Sequence, residues 1–248
     1  AEMLRSLRTR IEFIVQRKTG ISIVITSTQS GDGKTFLSTN LAALYAMTGK
    51  RTLLLDLDIR KPNIHEKLGL DAGLGITNYL IGECSLEDII VHHEAFDFDL
   101  IRAGTIPPNP GELIRSEHLT EMLNILKQRY EFIVIDSSPI GQVPDAYALV
   151  EQTDITLFVI RCMQTNKYFA KSTLQQLSVD HADKIQLILS DIPTERRGLR
   201  KGGYGYGYGY GSYGYGYGYG YGYGGYRYGS RYGRKKKNTY NYYSDDDE

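Results

Sequence analysis

Cysteine is scarce. The chain has two, Cys84 and Cys162, far apart in sequence. That argues against a disulfide-built scaffold and for reduced thiols in a cytoplasmic setting. No Cys/His cluster has the spacing of a zinc site. No apolar run approaches the ~20 residues that a membrane-spanning helix needs. No signal peptide is visible at the start. Charge of one sign is missing too, because 29 basic side chains balance 29 acidic ones. The chain opens on Ala1, not Met, directly on a helical pattern. It therefore reads as a piece of a longer protein, and missing membrane segments say little about the parent.

Aliphatic residues vanish near Leu199. Residues 202–233 are nearly all Gly and Tyr in alternation. Arg234, Lys235, Lys236 and Lys237 follow, then an acidic end, Asp245 to Glu248. A segment with so much Gly and nothing to build a core is expected to be disordered. The expected division is residues 1–199 and 200–248. The first part is long enough for one large α/β domain.

Within that first part, one stretch organises the rest: Ser27-Thr28-Gln29-Ser30-Gly31-Asp32-Gly33-Lys34-Thr35. An apolar run at residues 21–25 precedes it, and residues 36–47 read as a helix. Strand, Gly-containing loop ending Gly-Lys-Thr, and helix are the context in which a phosphate-binding loop is credible. Backbone N–H groups of such a loop converge on an anion. Gly31 and Gly33 let the backbone curl. Lys34 would reach the β- and γ-phosphates, and the Thr35 hydroxyl would ligate Mg²⁺. One glycine of the usual pattern is absent, since Thr28 stands six residues before Lys34.

Residues 1–18 read as a helix. Glu2, Arg5 and Arg8 recur every third residue and share one polar edge, as a solvated face or as a contact surface. Residues 51–58 form an apolar strand running into Asp56, Asp58, Arg60 and Pro62. In open α/β sheets ligands bind beyond the carboxyl ends of strands. Asp56 and Asp58 alternate there, so both can approach a metal or a nucleophile. Residues 74–81 and 86–91 look helical, and residues 98–102 form a third strand. A Pro-rich loop follows, Pro107-Pro108-Asn109-Pro110-Gly111-Glu112-Leu113. Residues 116–129 are an amphipathic helix. Residues 130–136 form a fourth strand ending in Asp136, where a second Mg²⁺-side carboxylate is expected. Residues 155–161 and 185–189 are strands flanking a helix at 167–179. Strands alternating with helices, without polar alternation, predict a doubly wound, mostly parallel sheet covered by helices on both faces.

Together these motifs resemble the bacterial tyrosine kinases (BY-kinases) that control capsule and exopolysaccharide synthesis. Leu53 to Arg60 matches the family's second Walker-like motif, an apolar run ending Asp-x-Asp-x-Arg. Ile133 to Pro139 fits its Walker B run, and Pro107 to Leu113 its Pro-Pro-Asn-Pro-x-Glu-Leu segment. Glu2, Arg5 and Arg8 match its N-terminal Glu-x-x-Arg-x-x-Arg motif, which implies that they form subunit contacts. Gln29 stands where the related partitioning ATPases carry a second lysine.

The resemblance implies a P-loop fold and ATP- and Mg²⁺-dependent tyrosine autophosphorylation. It implies nucleotide binding by Ser30, Gly31, Asp32, Gly33, Lys34, Thr35 and Phe36, with Asp191 a candidate for the adenine contact. Mg²⁺ would be held by Thr35, Asp58 and Asp136. Catalysis would involve Lys34, Asp56, Asp58, Arg60 and Asp136, with Asp56 orienting or deprotonating the tyrosine. The phosphoacceptors would be the sixteen tail tyrosines: Tyr204, Tyr206, Tyr208, Tyr210, Tyr213, Tyr215, Tyr217, Tyr219, Tyr221, Tyr223, Tyr226, Tyr228, Tyr232, Tyr240, Tyr242 and Tyr243. Implied partners are further copies of the chain in a ring, a transmembrane co-polymerase or activator domain (fused or separate) and a tyrosine phosphatase, with no nucleic acid. The expected location is the cytoplasmic face of the plasma membrane, the chain itself being soluble. The alternative is a partitioning-type ATPase switch with an adhesive tail. A nucleic-acid-binding reading of the Tyr-rich segment is a third.

Overall fold

The computed structural model describes residues 2–15 and 19–193. The Gly/Tyr segment with its sixteen tyrosines, the disorder expected of it and the boundary expected near residue 199 lie outside the described residues.

Seven strands form one sheet: β1 (Ile21–Ser27), β2 (Thr52–Leu57), β3 (Ile90–His93), β4 (Phe98–Ile101), β5 (Phe132–Ser137), β6 (Ile155–Arg161) and β7 (Ile185–Ser190). Their order is β3-β4-β2-β5-β1-β6-β7. All pairings are parallel except β3 with β4 at one edge. Every residue of β1, β2 and β5 is buried. Central parallel strands are covered on both faces, which is why their sequences run apolar without alternation.

Alternate residues nonetheless feed two separate cores. Ile23, Ile25, Leu54 and Val134 pack with Ile11 of α1 (Glu2–Ile14) and Leu37, Leu41 and Tyr45 of α2 (Lys34–Ala46). The Tyr45 ring stacks on Phe132 with centroids 3.7 Å apart. Leu53, Leu55, Ile133 and Ile135 pack on the other face. There they meet Leu119, Met122 and Leu126 of α6 (Glu117–Arg129) and Leu149 of α7 (Ala146–Gln152), with Leu177 of α8 (Lys167–His181) in the same cluster. Short helices α3 (Ile64–Lys67), α4 (Ile76–Leu80) and α5 (Pro110–Ile114) fill the connections. Ser116 Oγ accepts a hydrogen bond from the Leu119 N–H and caps α6.

Three elements depart from expectation. Residues 86–91 are not a helix. Glu87–Ile89 is a single 3₁₀ turn, and β3 follows as the antiparallel edge strand. The local pattern reads equally well either way over so few residues, and pairing with β4 decides. α7 is seven residues long, too short for a periodic signal. The Pro-rich loop does start a helix, at Pro110, where a missing N–H costs nothing.

Candidate active site

β1 and α2 are joined by residues 28–33. Gly31 (φ 88°) and Gly33 (φ 99°) are both left-handed. A Cβ at either would meet nothing within 4 Å. The backbone conformation, not crowding, therefore asks for glycine here. Thr28, where the usual glycine is absent, is buried. The tight approach at that point falls on Gly141 instead, whose Cβ would lie 2.5 Å from the Thr28 carbonyl oxygen.

Strand register brings the acids to this loop. Asp56 is the direct neighbour of Asp136 across β2 and β5. Each lies two residues past a residue of the α2-side core, Leu54 and Val134, so both point to the α2 face. Lys34, at the start of α2, is 6% exposed, and Asp56 and Asp136 are 1% exposed. Asp58 accepts hydrogen bonds at Oδ1 from Ser138 Oγ at 2.7 Å and the Lys61 N–H at 3.3 Å. Its own N–H donates to Asp56 Oδ1 at 3.2 Å.

Three carboxylates crowd this dry site, with the Lys34 ammonium among them. Burial, then the charges of Asp136 and Asp58, push Asp56 well above the usual carboxylate range. Burial raises Asp136 to about 6, although Thr35, Lys34 and Ser38 pull it back down. Burial lowers Lys34 against the opposing pull of Asp136, Asp58 and Asp32. Asp56 Oδ2 and Asp136 Oδ1 are buried with no hydrogen-bond partner among the described residues. Orphaned carboxylate oxygens beside a Thr hydroxyl fit a hard divalent cation. Among the described residues, no group of three or more His, Cys, Asp or Glu could hold a metal by itself. The remaining ligands would have to be phosphate and water, as is usual for Mg²⁺.

The raised carboxyls predict how the ligand-free chain responds to pH. Asp136 titrates near 6 when folded and near 3.8 otherwise. Between these values the folded state keeps a proton that the unfolded chain has lost. Stability therefore falls as pH rises through that window and stays lower above it. The shift corresponds to about 3 kcal/mol at neutral pH. Asp136→Asn forfeits the attraction to Lys34, so the net gain is smaller. The variant should melt roughly 3–6 °C higher than the parent at pH 7 and close to it at pH 4. Calorimetry at the two pH values checks this; an equal shift at both would contradict it.

The other expected residues are placed unevenly. Phe36 is exposed, and with Asp32, Gly33 and Asp191 it lines a groove of about 830 Å³ whose far wall includes Met3 and Leu7 of α1. Ser30 Oγ donates to Gln142 Oε1 at 3.4 Å. The Asp32 carboxylate is used inside the protein: it accepts from the Gln29 N–H at 3.3 Å and Thr165 Oγ1 at 2.8 Å. Arg60 does not reach the loop in this state; it pairs with Asp145, which Arg115 also approaches at 3.5 Å. Glu2 and Arg5 are exposed on α1. Arg8 is half-buried, donates to the Leu44 carbonyl at 3.3 Å and pairs with Glu12 at 3.7 Å. Sequence reasoning missed Ser138, Gly141, Asp145, Arg161 and Thr165. Ser138 had a signal, standing two residues past Asp136; the others had none, because their roles depend on distant partners.

The chain matches the AAA domain family over residues 20–189. It is 33% identical over 196 residues to the putative tyrosine-protein kinase CapB of Staphylococcus aureus, covering 79% of this chain and 86% of CapB. The chain belongs to the bacterial tyrosine-protein kinase family. The fold agrees: the kinase domain of the Escherichia coli tyrosine kinase ETK superposes with a TM-score of 0.74 at 28% identity, covering 83% of this chain and 80% of that one. The putative tyrosine-protein kinase EpsB of Ralstonia solanacearum is 33% identical over 244 residues, 98% of this chain. This tyrosine-kinase-family chain spans only 29% of EpsB's length. None of its described helices is long and apolar enough to cross a membrane.

Proposed function

We propose that the chain is an ATP- and Mg²⁺-dependent protein tyrosine kinase that phosphorylates the tail tyrosines of a neighbouring copy. The service proposed is control of exopolysaccharide or capsule synthesis and export at the cytoplasmic face of the plasma membrane. The observation that carries it is the pair of partnerless buried carboxylate oxygens, Asp56 Oδ2 and Asp136 Oδ1, on the neighbouring strands β2 and β5, with Lys34 and Thr35 beside Asp136. Kinship with named tyrosine-protein kinases, including CapB, points to tyrosine as the acceptor.

Phosphoryl transfer is mostly positioning and charge stabilisation. Loop N–H groups and Lys34 would hold the β- and γ-phosphates. Thr35 would bind Mg²⁺ directly, with Asp58 and Asp136 behind it through water. Bound there, Mg²⁺ would neutralise charge on the phosphates. Arg60 remains a proposed contributor, held here by Asp145, while Asp191, the candidate adenine contact, is held by Arg161. Asp56 would take the proton of the acceptor tyrosine as its Oη bonds to the γ-phosphorus and the bond to the β-phosphate oxygen breaks, releasing ADP. Free tyrosine has a pKa near 10, so a carboxyl raised by burial is a better-matched base than an ordinary one. A transmembrane co-polymerase or activator domain and a tyrosine phosphatase are the further partners this reading calls for. Residues 1–199 would be the catalytic part and 200–248 the substrate part.

The test is to incubate the purified chain with Mg²⁺ and ATP and map phosphosites by mass spectrometry. Phosphotyrosine confined to the sixteen tail positions is expected; none at all would overturn the reading.

Transfer between copies needs a neighbour, and α1 offers Glu2 and Arg5 for it. Glu2→Ala with Arg5→Ala should weaken self-association and slow autophosphorylation several-fold. Arg8 is left out, because its bond to Leu44 makes its loss a packing change as well. Analytical ultracentrifugation of unmodified protein checks this; unchanged assembly would discard the contact.

A further inference from the structure

The P-loop is gripped by the end of β6, the connection that follows it towards α8 and the end of β7. Arg161, the last residue of β6, donates from Nη1 to the Gly31 carbonyl oxygen at 3.0 Å. The same guanidinium clasps Asp191 Oδ2 through Nε and Nη2, both at 2.7 Å. Thr165 Oγ1 donates to Asp32 Oδ1 at 2.8 Å and accepts from the Arg161 N–H at 2.7 Å. Gln29 Nε2 donates to the Gln164 carbonyl at 3.4 Å. From β7, Ser190 Oγ donates to the Asp32 carbonyl at 3.3 Å. Three loop positions, Gln29, Gly31 and Asp32, are thereby tied to the end of β6, the connection after it and the end of β7.

The bracing chain holds unusual backbone to do this. Met163 (φ 63°) and Asp191 (φ 53°) are both left-handed without being glycine. Such conformations persist where surrounding bonds over-determine them. The Arg161–Asp191 pair is part-exposed, and an exposed ion pair contributes little to global stability. Its product is orientation: a planar guanidinium fixed on one edge by a carboxylate presents its remaining N–H in one direction. That direction is the Gly31 carbonyl. An unheld Gly31 would be free to leave its left-handed conformation and turn its carbonyl oxygen towards the phosphates.

We propose that Arg161 is a positioning residue of the phosphate loop, and that Asp191 acts through Arg161 instead of on the nucleotide base. The proposal rests on the nucleotide-binding reading for one of its two readouts and not for the other.

Arg161→Gln, Asp191→Asn and the double variant test it, with Mg²⁺ and fluorescently tagged ADP or GDP as probes. Each single substitution should weaken both nucleotides alike, by roughly tenfold, the weight of one charge-assisted hydrogen bond. The double variant should be no weaker than the weaker single one, since both cut the same connection. Hydrogen exchange at the amides of residues 29–33 should speed up in the ligand-free Arg161→Gln chain. Loss of ADP binding with GDP binding unchanged in Asp191→Asn would place Asp191 on the base and overturn the proposal. Additive losses, or unchanged affinities in all variants, would overturn it too. If the parent chain bound neither nucleotide, the functional reading would fall, and exchange alone would decide: unchanged rates at residues 29–33 overturn the brace.

Discussion

The Lys34→Met chain should fold, yet yield no phosphotyrosine with Mg²⁺ and ATP. Lys34 sits 6% exposed at the start of α2, its charge held down by burial and drawn by Asp136, Asp58 and Asp32. Methionine fills a similar volume and relieves the cost of burying an ammonium. It also removes a cation that faces Asp136, Asp58 and Asp32, so the Asp136 pKa should rise above about 6. The loop keeps its backbone donors, so some phosphate affinity survives, but the charge on the β- and γ-phosphates is gone. Phosphotyrosine formation should drop by at least about 10³-fold. Thermal melting and anti-phosphotyrosine blotting of the same sample check both halves. Robust phosphotyrosine in the variant would sink the assignment of this loop as the reacting centre.

Asp56→Asn should separate chemistry from binding. The side chain keeps its shape and can still accept from the Asp58 N–H, as Asp56 Oδ1 does at 3.2 Å. It cannot accept a phenolic proton. Transfer should fall by about 10²–10⁴-fold, the usual weight of a general base, while nucleotide affinity changes less than about tenfold. Affinity is even expected to rise slightly, because one of three crowded carboxylates is neutralised and ATP brings more negative charge. Single-turnover rates alongside a nucleotide titration decide it. A rate within threefold of the parent would mean that Asp56 is a structural acid at the strand end.

The fold was legible in the sequence to the extent that it depends on runs of one residue class. The buried central strands β1, β2 and β5 announce themselves as apolar runs, and the acids ending β2 and β5 as their punctuation. Asp56 and Asp136 could be placed together because parallel neighbours in a doubly wound sheet end at one edge, and the register joins them directly. The edge was harder. β3 owes its existence to pairing with β4, and nothing in Ile90–His93 says so alone. The loop's support was not legible either. Asp32 looks like a ligand residue by its place between two glycines, yet its carboxylate is spent on Gln29 and Thr165. Arg161 and Asp145 are lone charges in sequence; they acquire meaning only through partners 130 and 85 residues away. The Asp-x-Asp-x-Arg motif assigns Arg60 to the chemistry, and in this structure it faces Asp145.

The central claim is that this site phosphorylates the tail of another copy. Mixing isotopically heavy parent chain with light Lys34→Met chain, adding Mg²⁺ and ATP, and mapping phosphosites on each tests it most directly. The account predicts phosphotyrosine on light tail peptides, which the Lys34→Met chain cannot have made for itself. Phosphotyrosine on heavy peptides alone, at every chain concentration, would contradict transfer between copies.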